Sequence, residues 1–210
     1  MKNKKISFSI IAFLLSNFLI GQSSFKQTTI EGIKLPKEIK YNGKLINAVE
    51  WTDSIGKNIV IVTETGIINS KNGDDNKSAS LYASHYKFSN NSYNQTWKVT
   101  DFVKDCPLDI EANFIPNTFQ ITDLNKDGTA EIWLMYKTVC HGDVSPSNMK
   151  VIMYQGLQKY AMRGRNKVKI SETETEGGEY TFDKVFVDGP ISFRNFAIKL
   201  WEKNILQKWE

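Results

Sequence analysis

The chain is poor in the residues that build metal and nucleophile sites. Its 210 residues hold two cysteines, Cys106 and Cys140, and two histidines, His85 and His141. Two of each, with no paired spacing, do not make a zinc site. Neither histidine stands in a serine- or cysteine-hydrolase motif, so no nucleophile–base pair can be read. Beyond residue 21 no apolar run is long enough to cross a bilayer. Net charge is also scarce. The formal value is +4, but Lys2, Lys4 and Lys5 belong to a leader, and without it the charge falls to about +1. That balance excludes a general attraction to nucleic acid.

What is present starts with the leader. Residues 1–21 read as a signal peptide: three lysines, an apolar stretch from Ile6 to Ile20, then Gly21 with Ser23 and Ser24 as small residues for cleavage. An uncleaved anchor is the alternative, disfavoured by the short and partly polar stretch. No cysteine lies near the cleavage zone, which excludes a lipoprotein anchor. Residues 22–210 then form a single exported β-rich domain, located in the periplasm or at the cell surface, with no integral span after cleavage. Export puts the cysteines in an oxidising compartment, where Cys106 and Cys140 are expected to form a disulfide.

The centre of the chain is FQITDLNKDGTAEIWLMYKTVCHGD, residues 119–143. Asp123, Asn125 and Asp127 alternate, Gly128 permits a sharp reversal, and Glu131 closes the pattern. Alternating oxygen side chains on a tight turn can converge on a hard cation, possible here as Ca2+. Position 134 is Leu134, so an EF-hand is excluded, and the flanks are β-branched and aromatic. A strand–acidic loop–strand unit resembles the calcium loops of FG-GAP and VCBS-type repeats. That resemblance implies Asp123, Asn125, Asp127 and Glu131 as ligands, with a backbone carbonyl near Thr129. A plain hairpin turn uses the same residue types. The loop occurs once, so one ion would fix one turn.

Residues 132–140 are apolar at both parities, which predicts an interior strand covered on both faces. Further strands are expected over 58–63, 81–88, 95–103, 149–154, 159–163 and 180–187. Residues 69–78 read as a polar loop, and 104–117 as an irregular crossover. Asp188-Gly189-Pro190 is expected to open a helix. On it Phe193, Phe196, Ala197, Leu200, Trp201 and Ile205 form one apolar stripe that should dock on the sheet. Membrane-surface binding through Lys199, Lys203 and Lys208 is the weaker use of that helix. The expected fold class is mostly β: an antiparallel β-sheet meander, sandwich or propeller-like, with a C-terminal amphipathic helix.

Two constellations invite a function. His141-Gly142-Asp143 with Asn148 matches the catalytic loop of aminoglycoside and choline kinase-like phosphotransferases. No glycine-rich phosphate loop precedes it and no metal-binding aspartate follows soon after, so the motif lacks its context. It reads as a turn. Lys159, Arg163, Arg165, Lys167 and Lys169 share one parity, and a continuous strand would line them on one face for an anionic ligand. Glu172, Glu174 and Glu176 follow closely, and self-pairing of the surface is the alternative.

Five strings carry a wider resemblance: WTDSIGKN (51–58), DLNKDGTAE (123–131), YKTVC (136–140), DVSPSNMKVIMY (143–154) and KYAMRG (159–164). Together they resemble a family of small exported bacterial proteins described as surface polysaccharide biosynthesis proteins, over roughly residues 46–165. The resemblance implies a role in making or displaying surface polysaccharide or lipopolysaccharide. Its expected partners are surface glycan or envelope biosynthesis proteins. It supplies no catalytic residues. A non-catalytic glycan-binding accessory protein is the leading expectation. A carboxylate-using enzyme on extracytoplasmic glycans and an envelope inhibitor or protein-binding module are the alternatives.

Overall fold

A computed structural model describes residues 25–72 and 74–207. The leader assigned to residues 1–21, and Lys208, lie outside them. Two antiparallel sheets pack face to face. The first contains β1 (Thr28–Thr29), β2 (Lys44–Asp53), β3 (Gly56–Glu64), β4 (Ile68–Asn69), β5 (Lys77–Ser89) and β6 (Ser92–Cys106), in the order β1-β2-β3-β5-β4, with β6 also paired to β5. The chain then crosses to the second sheet through β7 (Asp109–Phe114), β8 (Gln120–Thr122), β9 (Glu131–His141), β10 (Asn148–Gln155) and β11 (Gln158–Arg165). A separate ribbon follows, β12 (Lys167–Lys169) with β13 (Thr175–Gly177), before β14 (Tyr180–Phe182) returns to β11. Helices α1 (Lys184–Asp188) and α2 (Ile191–Asn204) end the fold.

Alternation decides what each face buries. Between the sheets lie Trp51, Val60, Val62, Leu81 and Trp97 from the first, against Ile132, Leu134, Ile152 and Tyr154 from the second. The opposite parity of β9, Trp133 and Met135, packs with Met149, Val151 and Met153 under Phe186, Phe193, Ala197 and Trp201 of the helices. The two-faced strand is therefore buried as its sequence predicts, and α2 docks through its stripe. A third cluster covers the outer face of the first sheet, where Ile39 packs on Ala48, Ile59, Ile61 and Tyr86. Fully burying each large apolar side chain contributes about 2 kcal/mol.

Three local expectations are corrected. Residues 104–117 are not an irregular crossover: β6 continues to Cys106, and β7 pairs with β9 from Asp109↔His141 to Phe114↔Tyr136. Pro107 interrupts only the corner. Residues 180–187 are not one strand. The strand stops at Phe182, and Asp183 starts α1 by accepting the Phe186 amide at 2.9 Å, as a helix cap. Asp188 ends that helix instead of opening the next, and Pro190 stands immediately before α2.

Cys106 and Cys140 form a disulfide with Cα atoms 5.8 Å apart. It joins the end of β6 in one sheet to β9 in the other. At the opposite end of β9 the acidic loop docks on the β2–β3 turn. Ser54 donates its amide to the Gly128 carbonyl at 2.8 Å, and the Ser54 and Thr129 hydroxyls lie 2.9 Å apart. Asp53 accepts the Ala130 amide at 3.1 Å and the Trp51 indole at 2.9 Å. Both ends of β9 are thus tied to the facing sheet.

Candidate anion-binding site

The face of β10 turned towards the first sheet carries Lys150, Ile152 and Tyr154. Its register places Lys150 opposite Tyr136 on one side and Arg163 on the other. One cross-strand row thus reads Tyr136, Lys150, Arg163. Lys159 lies on the same face of β11, four residues before Arg163. Asp101 of β6 closes the site from the first sheet, 2.5 Å from the Lys150 ammonium. These side chains border a recess of about 430 Å³ together with Thr100.

The electrostatics are unbalanced. Lys150, Lys159 and Arg163 face one carboxylate, Asp101. Lys150 sits 5.8 Å from the Tyr136 ring centroid, within cation–π range. Partial burial lowers the Lys159 pKa, and the positive charges of Arg163 and Lys150 lower it further, against the opposing pull of Asp183 and Asp101. Burial, then the Asp101 charge, raises the Tyr136 hydroxyl well above its ordinary value, so it stays protonated as a donor. A partly desolvated cation group with too few counter-charges is the environment in which an incoming anion gains most.

The expected five-residue face is divided. Lys159 and Arg163 meet at the recess. Arg165 turns to Glu179 and lies 3.5 Å from Glu176. Lys167 and Lys169 lie on β12 in the separate ribbon, where Lys169 pairs with Glu172 at 3.0 Å. The strand leaves the second sheet at Asn166, which is buried and accepts the Ser147 amide at 2.7 Å. That change of course breaks the common parity. Lys150, Asp101 and Tyr136 were not expected here. The available signal was Lys150, a lysine at the parity of Ile152 and Tyr154.

Three of the acidic loop's expected ligands, Asn125, Asp127 and Glu131, have protein partners. Glu131 is fully buried, accepting the Thr122 hydroxyl at 2.7 Å and the Leu124 amide at 2.9 Å. Asp127 accepts the Thr129 amide at 2.8 Å and the side-chain amides of Asn125 and Gln155 at 2.7 and 2.9 Å. The Asn125 oxygen accepts the Asp127 amide at 3.3 Å. Burial raises the Glu131 pKa above the ordinary carboxylate value, against the hydrogen bonds from Thr122 and Leu124. Among the described residues no group of three or more His, Cys, Asp or Glu side chains is arranged to hold a metal ion. For calcium, the fit is incomplete: Glu131 points into the core between Thr122 and Leu124, and Asp127 is engaged by three amides.

The kinase-like string forms a turn. Asp143 accepts the Ser145 amide at 2.9 Å, while Asn148 opens β10 opposite Thr138.

No family model, curated protein or solved structure matches this chain. The recess must be read from its own chemistry.

Proposed function

We propose that this is an exported, non-catalytic accessory protein that binds an anionic group of a surface glycan. The observation that carries the reading is the convergence of Lys150, Lys159 and Arg163 on one recess against the single carboxylate of Asp101. Arg163 offers a planar fork of donors, which suits a carboxylate, phosphate or sulfate. Tyr136 adds an aromatic wall and a hydroxyl. The recess is small, so it would hold one charged sugar or substituent, with the rest of the glycan outside. The disulfide supports the exported setting. The strings that resemble a surface polysaccharide family support the process, and the site would give that process a physical contact.

The test is calorimetry with a uronic-acid oligosaccharide and a phosphorylated one at two ionic strengths. We expect binding that weakens with salt. A Lys159→Ala, Arg163→Ala double variant should weaken it at least tenfold with an unchanged circular dichroism spectrum. Equal binding by wild type and variant would refute the site. Deletion of the gene, with complementation by the same variant, tests the process: surface glycan that is unchanged by deletion would remove the assignment.

A further inference from the structure

A second recess lies at one edge of the second sheet, where β7 is the outermost strand. Its volume is about 710 Å³, within the range of about 300–1,000 Å³ typical of ligand pockets. One wall is β7 with the bulge that follows it. The other is the tail after α2. Glu64, at the end of β3, closes the inner side.

The walls are fixed by backbone contacts. Phe114 donates its amide to Glu64 at 2.6 Å, and Ile115 donates to the Met135 carbonyl at 2.8 Å. The Thr118 hydroxyl donates to the Ile115 carbonyl at 2.6 Å. Between these anchors Pro116 and Asn117 bulge outward, with Asn117 at φ 62°. The tail is strapped to β12: Lys167 donates to the Ile205 carbonyl and Gln207 donates to the Lys167 carbonyl, each at 2.7 Å. Little ordering is left for a ligand to impose, which favours binding.

The chemistry of the lining differs from that of the basic recess. Its cation is already matched: Lys137 lies 3.3 Å from Glu111 and donates to the Gln207 side chain at 3.0 Å. The exposed amides of Asn113 and Asn117 make no side-chain hydrogen bond among the described residues, and each presents both a donor and an acceptor. Pro116 and the half-exposed Leu206 supply apolar surface beside them. Paired donor and acceptor groups next to small apolar patches match a ligand of alternating hydroxyl and C–H faces. With Lys137 paired to Glu111 and Glu64 adding a second carboxylate, nothing here attracts an anion.

We propose that this recess binds a neutral, hydroxyl-rich ligand, a segment of uncharged oligosaccharide. The proposal does not depend on the anionic reading of the other recess. The experiment is a printed array of neutral and acidic oligosaccharides, followed by calorimetry with the neutral oligosaccharide that gives the strongest signal. Asn113→Ala combined with Asn117→Gly should weaken that binding at least tenfold. Glycine suits the positive φ, so melting temperature and circular dichroism should stay at wild-type values. Lys159→Ala with Arg163→Ala should leave neutral-sugar binding intact. Failure of every neutral oligosaccharide to bind, or binding indifferent to the asparagine variants, would overturn the proposal.

Discussion

His85 is enclosed by aromatic rings. Its centroid lies 5.4 Å from Trp51 and 5.3 Å from Trp97, which in turn stacks on Tyr154 at 4.1 Å. Its Nδ1 lies 2.6 Å from the Thr96 hydroxyl. Burial lowers its pKa to about 4, against the pull of Asp53 and with a small further lowering by Lys87. The folded protein therefore holds His85 neutral while the unfolded chain binds a proton near pH 6.5. Its contribution to stability is complete above pH 6.5 and is lost as pH falls towards 4. The loss is about 3 kcal/mol, from 1.36 kcal/mol per pKa unit. Urea unfolding between pH 4 and 7.5 measures it. His85→Gln should flatten the slope; an unchanged slope would show that other groups carry it.

At the scale of elements, β9 and its acidic loop were the most legible part. Apolar residues at both parities imply two covered faces, and both are covered. The loop's place between strands was equally readable. Its partners were not, because Asp53, Ser54 and Gln155 lie far away in sequence and no local pattern brings them to the loop. The same limit explains the basic recess. Parity collected five cations from Lys159 to Lys169, but only pairing register could add Lys150 and Tyr136, and only sheet packing could add Asp101. It also took the exit at Asn166 to separate Lys167 and Lys169, and the distant Glu179 and Glu176 to engage Arg165. The short strand at β14 and helix α1 were misread as one strand because Tyr180–Val187 is aromatic and β-branched except at Asp183 and Lys184. The Asp183 cap overrides that propensity.

The loop also makes a prediction at this scale. Native Glu131 holds its proton more tightly than the unfolded chain. Its contribution therefore favours the fold at acid pH and is lost as pH rises from 4.5 through the raised folded value. A calcium ion on the same carboxylate would reverse that sign. With Glu131 and Asp127 already engaged, the loop should show a melting temperature unchanged within about 1 °C on adding millimolar calcium at pH 7, since a saturating ligand would add a few kcal/mol. A rise of several degrees that grows between pH 5 and 7 would establish a calcium site.

The whole molecule is layered: a covering segment around Ile39, two sheets, and two helices. The class of fold was evident from alternation alone. The two recesses were not, because one forms where the faces of two sheets meet and the other where a sheet edge meets the distant tail. The layers are joined at both ends of β9, by the disulfide and by the loop. Replacing the disulfide with Cys106→Ala and Cys140→Ser should cost about 4 kcal/mol in the chain-entropy picture. Urea unfolding in non-reducing buffer checks it, and a loss below about 1 kcal/mol would mean the sheets hold their alignment without the link.

The disulfide also closes a covalent ring across a sequence separation of 34. Inside that ring lie Glu111, Asn113, Asn117, Tyr136 and Lys137, and with them parts of both recesses. A single peptide-bond cut anywhere between the two cysteines opens the ring without dividing the molecule. Both recesses therefore stay on one covalent body after a nick within the ring that would split an unbridged chain in two, and a protease must cut twice to release the parts of either wall that lie between the cysteines.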